Sequence, residues 1–216
     1  MDVYTTEEQQ VEVIKKWWKE NGISVLAGVG LGLAAVFGWK AWVAHQASVG
    51  EQASVVFEQL MGSVRAGARE SADQQAELLS AKYESTPYAE FAALAQARML
   101  LGAGDNVSAR ARLQWALEHT AEAGLKQVAR LRLARVLLSD GDLDGAEEAL
   151  RGADAGSFAG EFSHVQGDIA AAREDFAGAR NAYQHALENG VGSADLVQMK
   201  LDDLPPVATP AAAGQS

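Results

Sequence analysis

Nineteen consecutive uncharged residues, NGISVLAGVGLGLAAVFGW at positions 21–39, constrain this chain more than any other feature. As an α-helix they span about 28 Å, close to the apolar thickness of a bilayer. A soluble helix of that length keeps a polar face, and this run has none. Lys19 and Lys40 bracket it and can snorkel to either interface. Trp17 and Trp18 stand at one end, Trp39 and Trp42 at the other, the placement of membrane-interface anchors in a lipid bilayer. A cleaved leader has a shorter core and then small residues, whereas WKAWVAHQA follows here, so an uncleaved transmembrane helix is expected. Lys15, Lys16 and Lys19 precede the run, and only Lys40 follows it before Arg65. The positive-inside rule then predicts a cytoplasmic N-terminus, with the rest of the chain across the membrane, in a bacterium in the periplasm.

The preceding segment, TTEEQQVEVIKKWWKENG, carries Thr5 and Thr6 with Glu8 and Gln9 three residues on, the spacing of a capping box. Val11, Ile14 and Trp18 share one helical face, and Asn21-Gly22 is placed to break the helix. Two readings stay open: a short amphipathic helix on the inner membrane surface, or a polar extension of the span. Within the span, Gly28 and Gly32, Gly30 and Ala34, and Ala34 and Gly38 are each four apart. That spacing predicts a face for close contact with another transmembrane helix.

Beyond the span an internal match appears. ARMLLGAGD at 97–105 and ARVLLSDGD at 134–142 share A-R-x-L-L-x-x-G-D, 37 residues apart. Periods of this size mark stacked helical hairpins of tetratricopeptide type. Small residues recur where two helices cross closely: Ala97, Ala109 and Ala116, then Ala134, Ala146 and Ala153, then Gly167, Ala179 and Ala186. Phe176 and Tyr183 are the packing aromatics of the third copy. The turns Gly104-Asp105, Gly141-Asp142 and Glu174-Asp175 are expected to end one helix and cap the next. Stretches 49–65 and 72–83 are read as an irregular first hairpin, and 194–204 as the far cap, because one hairpin cannot bury its own apolar face. The fold class expected is all-α: one N-terminal transmembrane helix followed by a tetratricopeptide-like helical-hairpin solenoid. The expected boundaries are a cytoplasmic tail at 1–20, the span at 21–43, the repeat domain at 44–204 and a Pro/Ala tail at 205–216.

Composition closes off several functions. From position 44 onward, 14 Lys and Arg stand against 24 Asp and Glu, a net charge of −10, which repels nucleic-acid backbones. With no cysteine there is no disulfide, thiolate metal site or thiol nucleophile. His45, His119, His164 and His185 are read as lacking a ligand-spaced partner on their own helix turns, and no nucleophile elbow, phosphate loop or H-E-x-x-H motif occurs. No catalytic residue, metal or cofactor is expected. In a tetratricopeptide hairpin the residue after the small helix-A residue faces the groove. Here that is Arg98, Arg135 and Asp168, with Leu94, Leu131 and His164 one turn before and Leu101, Leu138 and Ala171 one turn after. The expectation is an apolar protein-binding groove carrying two arginines, suited to an extended or helical partner segment; the alternative is that each arginine pairs with an acidic neighbour.

The tail QVEVIKKWWKENG, the span GVGLGLAAVFGWKAW, the hairpin LRLARVLLSDGDLDGAEEAL, the segment GDIAAAREDFAGARNAYQHAL and the end LVQMKLDDL together resemble the ancillary SecYEG translocon subunit family of proteobacteria. The resemblance covers about residues 1–204. It implies a single-pass type II inner-membrane protein with a periplasmic tetratricopeptide-like domain. It implies association with the SecYEG translocon and with a membrane-anchored periplasmic chaperone of the prolyl-isomerase type. The work implied is passing newly exported client proteins to periplasmic chaperones. Two alternatives accompany it: an envelope-assembly scaffold without translocon contact, or a negative regulator of envelope stress signalling acting through the cytoplasmic tail.

Overall fold

A computed structural model describes residues 7–206, and among these every regular element is helical. The chain divides into two compact units, Met1–Gln52 and Ala53–Ser216. Thr5 and Thr6 of the expected capping box lie outside the described residues, as does the tail from 207 onward.

The first unit is the N-terminal part of α1 (Glu7–Ala66). The expected break at Asn21-Gly22 is absent, which supports the reading of 7–20 as a helical extension. Asn21 donates from Nδ2 to the Trp17 carbonyl at 3.1 Å, so its side chain bonds back within the helix. Gly22 lies against the Trp18 indole. A lone glycine costs a helix only about 1 kcal/mol, and in lipid every backbone group must be paired internally. The apolar side chains of this segment are exposed, Leu31 by 73% and Phe37 by 66%. It is the one helix among the described residues long and apolar enough to cross a membrane.

The second unit begins with the last turns of α1. Ala53 and Leu60 are fully buried there, and Phe57 meets Tyr88 and Phe91 at 5.6 and 6.1 Å between ring centroids. Eight helices follow: α2 (Arg69–Lys82), α3 (Pro87–Gly102), α4 (Asn106–His119), α5 (Ala123–Ser139), α6 (Leu143–Leu150), α7 (Ala159–Ala172), α8 (Phe176–Glu188) and α9 (Ala194–Asp202). α2 packs on α3, so both early stretches are helical and both rest on the first full repeat. Three hairpins, α3/α4, α5/α6 and α7/α8, then stack, and α9 closes on α8.

The turns show why these hairpins form. At Gly104 (φ 78°) the chain enters the left-handed region; the Asp105 N–H reaches the Leu100 carbonyl and the Gly104 N–H the Leu101 carbonyl. These bonds satisfy the last carbonyls of α3. Asp105 then caps α4 by accepting from the Ser108 N–H at 3.0 Å. The same bonds recur at Gly141-Asp142, where Asp142 accepts from Gly145, and at Glu174-Asp175, where Asp175 accepts from Gly178.

Small residues mark the crossings as expected, with Ala97, Ala109, Ala116, Ala134, Ala146, Ala179 and Ala186 all buried. Gly167 is smaller still because a Cβ there would overlap the Tyr183 ring. Ala153 departs from the pattern. α6 ends at Leu150, and Gly152 (φ 66°) turns the chain into an irregular segment with a 3₁₀ turn at Gly156–Phe158. Ala153 therefore packs beside Leu150 and Phe162 from a loop rather than from a helix. The cores form between repeats: Leu94, Ala97, Leu113, Leu133 and Val136 in one cluster, Leu131, Ala134, Phe162 and Ile169 in the next.

Candidate functional site

The helix-A face of α3, α5 and α7 was the expected groove, and packing has redistributed its residues. Leu94 and Leu131 are buried in the inter-repeat cores. Leu101 and Leu138 are partly buried against the same clusters. The reason is geometric: α5 packs against α4 of the preceding hairpin and against α7 of the next, so leucines on that side fill the seams between repeats. The face is therefore less apolar than expected.

Its polar positions divide in two. Arg135 donates to Glu161 of α7 at 2.8 Å, an ion pair across adjacent repeats, as the alternative reading required. Burial works to raise the Glu161 carboxyl, but the Gly192 N–H and the Arg135 guanidinium outweigh it and hold the group below the usual range. Arg98 is exposed, and among the described residues it has neither an ion-pair nor a hydrogen-bond partner. Arg132, absent from the sequence expectation, sits one turn before Arg135 on α5 and is also without a partner. Although the residue is exposed overall, partial burial of the guanidinium pushes its pKa down, and the nearby charges of Arg98 and Arg135 push it further. The i, i+3 spacing of Arg132 and Arg135 was the available signal.

At the third repeat, His164 and Asp168 are not groove residues but part of a half-buried polar joint. His164 is 5% exposed. Lys200 of α9 donates to Asp168 Oδ1 at 2.6 Å and lies 3.0 Å from His164 Nε2. The Tyr183 hydroxyl donates to the same carboxylate at 2.8 Å. Burial raises the Tyr183 phenol above its ordinary value, and Asp168 adds to the effect. Burial lowers the His164 imidazole, and the Lys200 and Arg135 charges assist against the opposing pull of Asp168 and Glu161. Lys200 facing Nε2 places the neutral ring's proton on Nδ1, a buried atom with no partner among the described residues. The joint ties α7, α8 and α9 together.

In the first unit, Trp17 and Trp18 stand 6.5 Å apart and Trp39 and Trp42 5.2 Å apart between centroids, all four exposed. Gly28, Gly32 and Gly38 have open space where a Cβ would lie, and Ala34 is exposed beside them. Contrary to the sequence reading, two histidines do have a carboxylate on the next turn of their own helix: Asp168 lies 3.5 Å from His164 and Glu188 3.3 Å from His185. No group of three or more His, Asp or Glu among the described residues is placed to hold a metal ion.

A tetratricopeptide repeat-like domain family model matches residues 15–206. Curated relatives named as ancillary SecYEG translocon subunits match over nearly their whole lengths. The protein of Haemophilus influenzae is 32% identical over 199 residues, covering 92% of this chain and 97% of the relative. That of Escherichia coli is 31% identical over 206 residues, covering 94% and 99%. That of Neisseria gonorrhoeae is 29% identical over 210 residues, covering 94% and 100%. No solved structure matches the chain.

Proposed function

This chain belongs to the ancillary SecYEG translocon subunit family, and from that premise we propose that it is a non-catalytic, membrane-anchored adaptor at the SecYEG channel. Residues 1–20 lie in the cytoplasm, 21–43 cross the inner membrane, and 44–204 form a protein-binding domain in the periplasm. The adaptor passes newly exported polypeptides to periplasmic chaperones, and its chaperone partner is membrane-anchored and of the prolyl-isomerase type. The small-residue positions Gly28, Gly32, Ala34 and Gly38 serve as the contact for a partner's transmembrane helix, since nothing among the described residues packs on the three glycines. Trp17, Trp18, Trp39 and Trp42 set the depth of the span. The face bearing Arg98 and Arg135 meets exported segments.

The observation that carries this reading is the breadth of the match. Relatives named for the translocon align with the anchor and the repeats together, across 97% or more of their own length. The full chain, purified from inner membranes in mild detergent, is expected to bring SecYEG with it. Replacing 21–43 by an unrelated apolar span is expected to reduce that yield while the repeat domain stays folded. Purification of the native chain free of SecYEG, under conditions that keep the channel intact, would overturn the reading.

A further inference from the structure

Arg98 and Arg132 pose a physical question that the fold does not answer. They belong to neighbouring repeats whose side chains meet in one core cluster, through Ala97 on α3 and Leu133 on α5. Neither has an internal partner among the described residues, and the charges that act on Arg132 are Arg98 and Arg135, all of one sign. Arg135 is neutralised by Glu161, which leaves Arg98 and Arg132 as two unpaired cations within electrostatic reach of each other on adjacent repeats. Elsewhere in the domain acidic residues are in excess: Arg110 pairs with Asp140, Arg151 with Glu148, and Arg173 with Asp144 and Glu147, while Arg65, Arg130 and Arg180 donate to backbone carbonyls and Arg112 has no partner among the described residues. A pair of guanidinium groups left free amid so many carboxylates is a preformed receptor for a foreign carboxylate.

A second feature lies on the same face of α3. Phe91 precedes Arg98 by seven residues, two helical turns, which places both on one side of the helix about 10 Å apart. Phe91 stays 38% exposed although Phe57 lies 6.1 Å away between ring centroids, and Tyr88, also in contact with Phe57, extends the aromatic group. An extended chain covers about 10 Å in three residues. The face thus offers an aromatic contact at one end and two free cations at the other.

We propose that Phe91, Arg98 and Arg132 form a binding site for an extended acidic segment of a partner polypeptide, with an apolar side chain seated on Phe91 and carboxylates about three residues further on held by the two arginines. The site rests on the reading of this face as protein-binding, and it names the chemistry that reading leaves open. Charge complementarity selects the occupant: the acidic remainder of the domain repels anions at large, so only a segment that reaches both guanidinium groups gains enough to stay. Polar contact with charged partners also makes the interaction weaken as salt is raised.

The test is a titration of the full chain, held in phosphatidylcholine nanodiscs, against a fluorescent twelve-residue peptide bearing Leu-x-x-Glu-Glu. Four comparisons are needed: the peptide with Glu replaced by Gln, the protein variants R98Q/R132Q and F91A, and the control R151Q. The Gln peptide and R98Q/R132Q are each expected to lower affinity by about tenfold or more, while R151Q leaves it unchanged. F91A is expected to weaken both peptides alike, because it removes the apolar contact and no charge. R98Q/R132Q removes no hydrogen bond or ion pair within the domain, and its circular dichroism is expected to match the native chain. Equal affinity for the Glu and Gln peptides, or unchanged binding by R98Q/R132Q, would overturn the proposal. So would failure of the peptide to bind while phosphatidylglycerol nanodiscs engage the same two arginines, which would make this a lipid-headgroup site. SecYEG co-purification is scored separately and is expected to survive in R98Q/R132Q. Its failure in the native chain counts against the adaptor, whereas the acidic-segment site stands or falls on the titration.

Discussion

At Glu174 the backbone does what glycine does at the two equivalent turns. Gly104, Gly141 and Glu174 have φ of 78°, 80° and 62°, and Glu174 is the one non-glycine residue with positive φ among those described. A side chain in this region costs about 1–2 kcal/mol relative to glycine. The Asp175 cap and the carbonyls it helps close on α7 hold Glu174 there. Glu174→Gly is therefore expected to stabilise the domain by roughly 1 kcal/mol, offset in part by added freedom of the unfolded chain. Urea denaturation followed by circular dichroism measures it, and a loss of stability would mean that the Glu174 side chain makes a contact worth more than the strain. Which residue would turn there was legible from the repeat spacing. That a glutamate would accept left-handed geometry was not, because its local preference opposes it and only the fixed positions of α7 and α8 impose it.

At the scale of elements, the closing joint between α7, α8 and α9 has a pH dependence with a definite sign. The folded state holds His164 below its ordinary pKa of 6.5, chiefly by burial. The unfolded chain therefore binds this proton more readily. Stability from the neutral ring is full above about pH 6.5 and is lost as pH falls through the lowered folded value. Protonation would also put a cationic Nε2–H against Lys200, 3.0 Å away, a repulsion that the Asp168 carboxylate, 3.5 Å from the same nitrogen but shared with Lys200 and Tyr183, offsets only in part. Melting temperatures taken between pH 7.5 and 5 are expected to fall toward acid, and to fall less steeply in H164Q. K200M is expected to cost roughly 1–3 kcal/mol at neutral pH by leaving the Asp168 carboxylate short of its partner. An H164Q profile as steep as the native one would remove His164 as the cause. His164 and Asp168 were expected at a groove because their register matches Leu94 and Arg98. Lys200, 36 residues from His164, diverted them, and no spacing within one hairpin announces such a partner.

For the whole molecule, the decisive question is which side of the membrane each unit occupies. The three lysines before the span against Lys40 after it set the expected orientation. An alkaline phosphatase fusion after position 204 is expected to be active, and the same reporter inserted after position 9 inactive. The reverse pattern would remove the periplasmic adaptor from consideration. Exchanging Lys15, Lys16 and Lys19 for Gln is expected to give mixed orientation, read as partial protease protection in inverted vesicles.

The span, the repeat period, the capped turns and the small crossing residues were determined by the sequence alone, because each is a local or periodic pattern read within a few helical turns. Gly104-Asp105 and Gly141-Asp142 carry their own instructions, as does an uncharged run long enough to cross lipid. Tertiary structure alone decided which side chains of the A-helix face remain available. Leu94 and Leu131 vanish into the seams, Arg135 is taken by Glu161 and Asp168 by Lys200, while Arg98 and Arg132 are left free. Those outcomes depend on how one hairpin crosses the next, and crossing geometry is the sum of many weak contacts between residues distant in the chain.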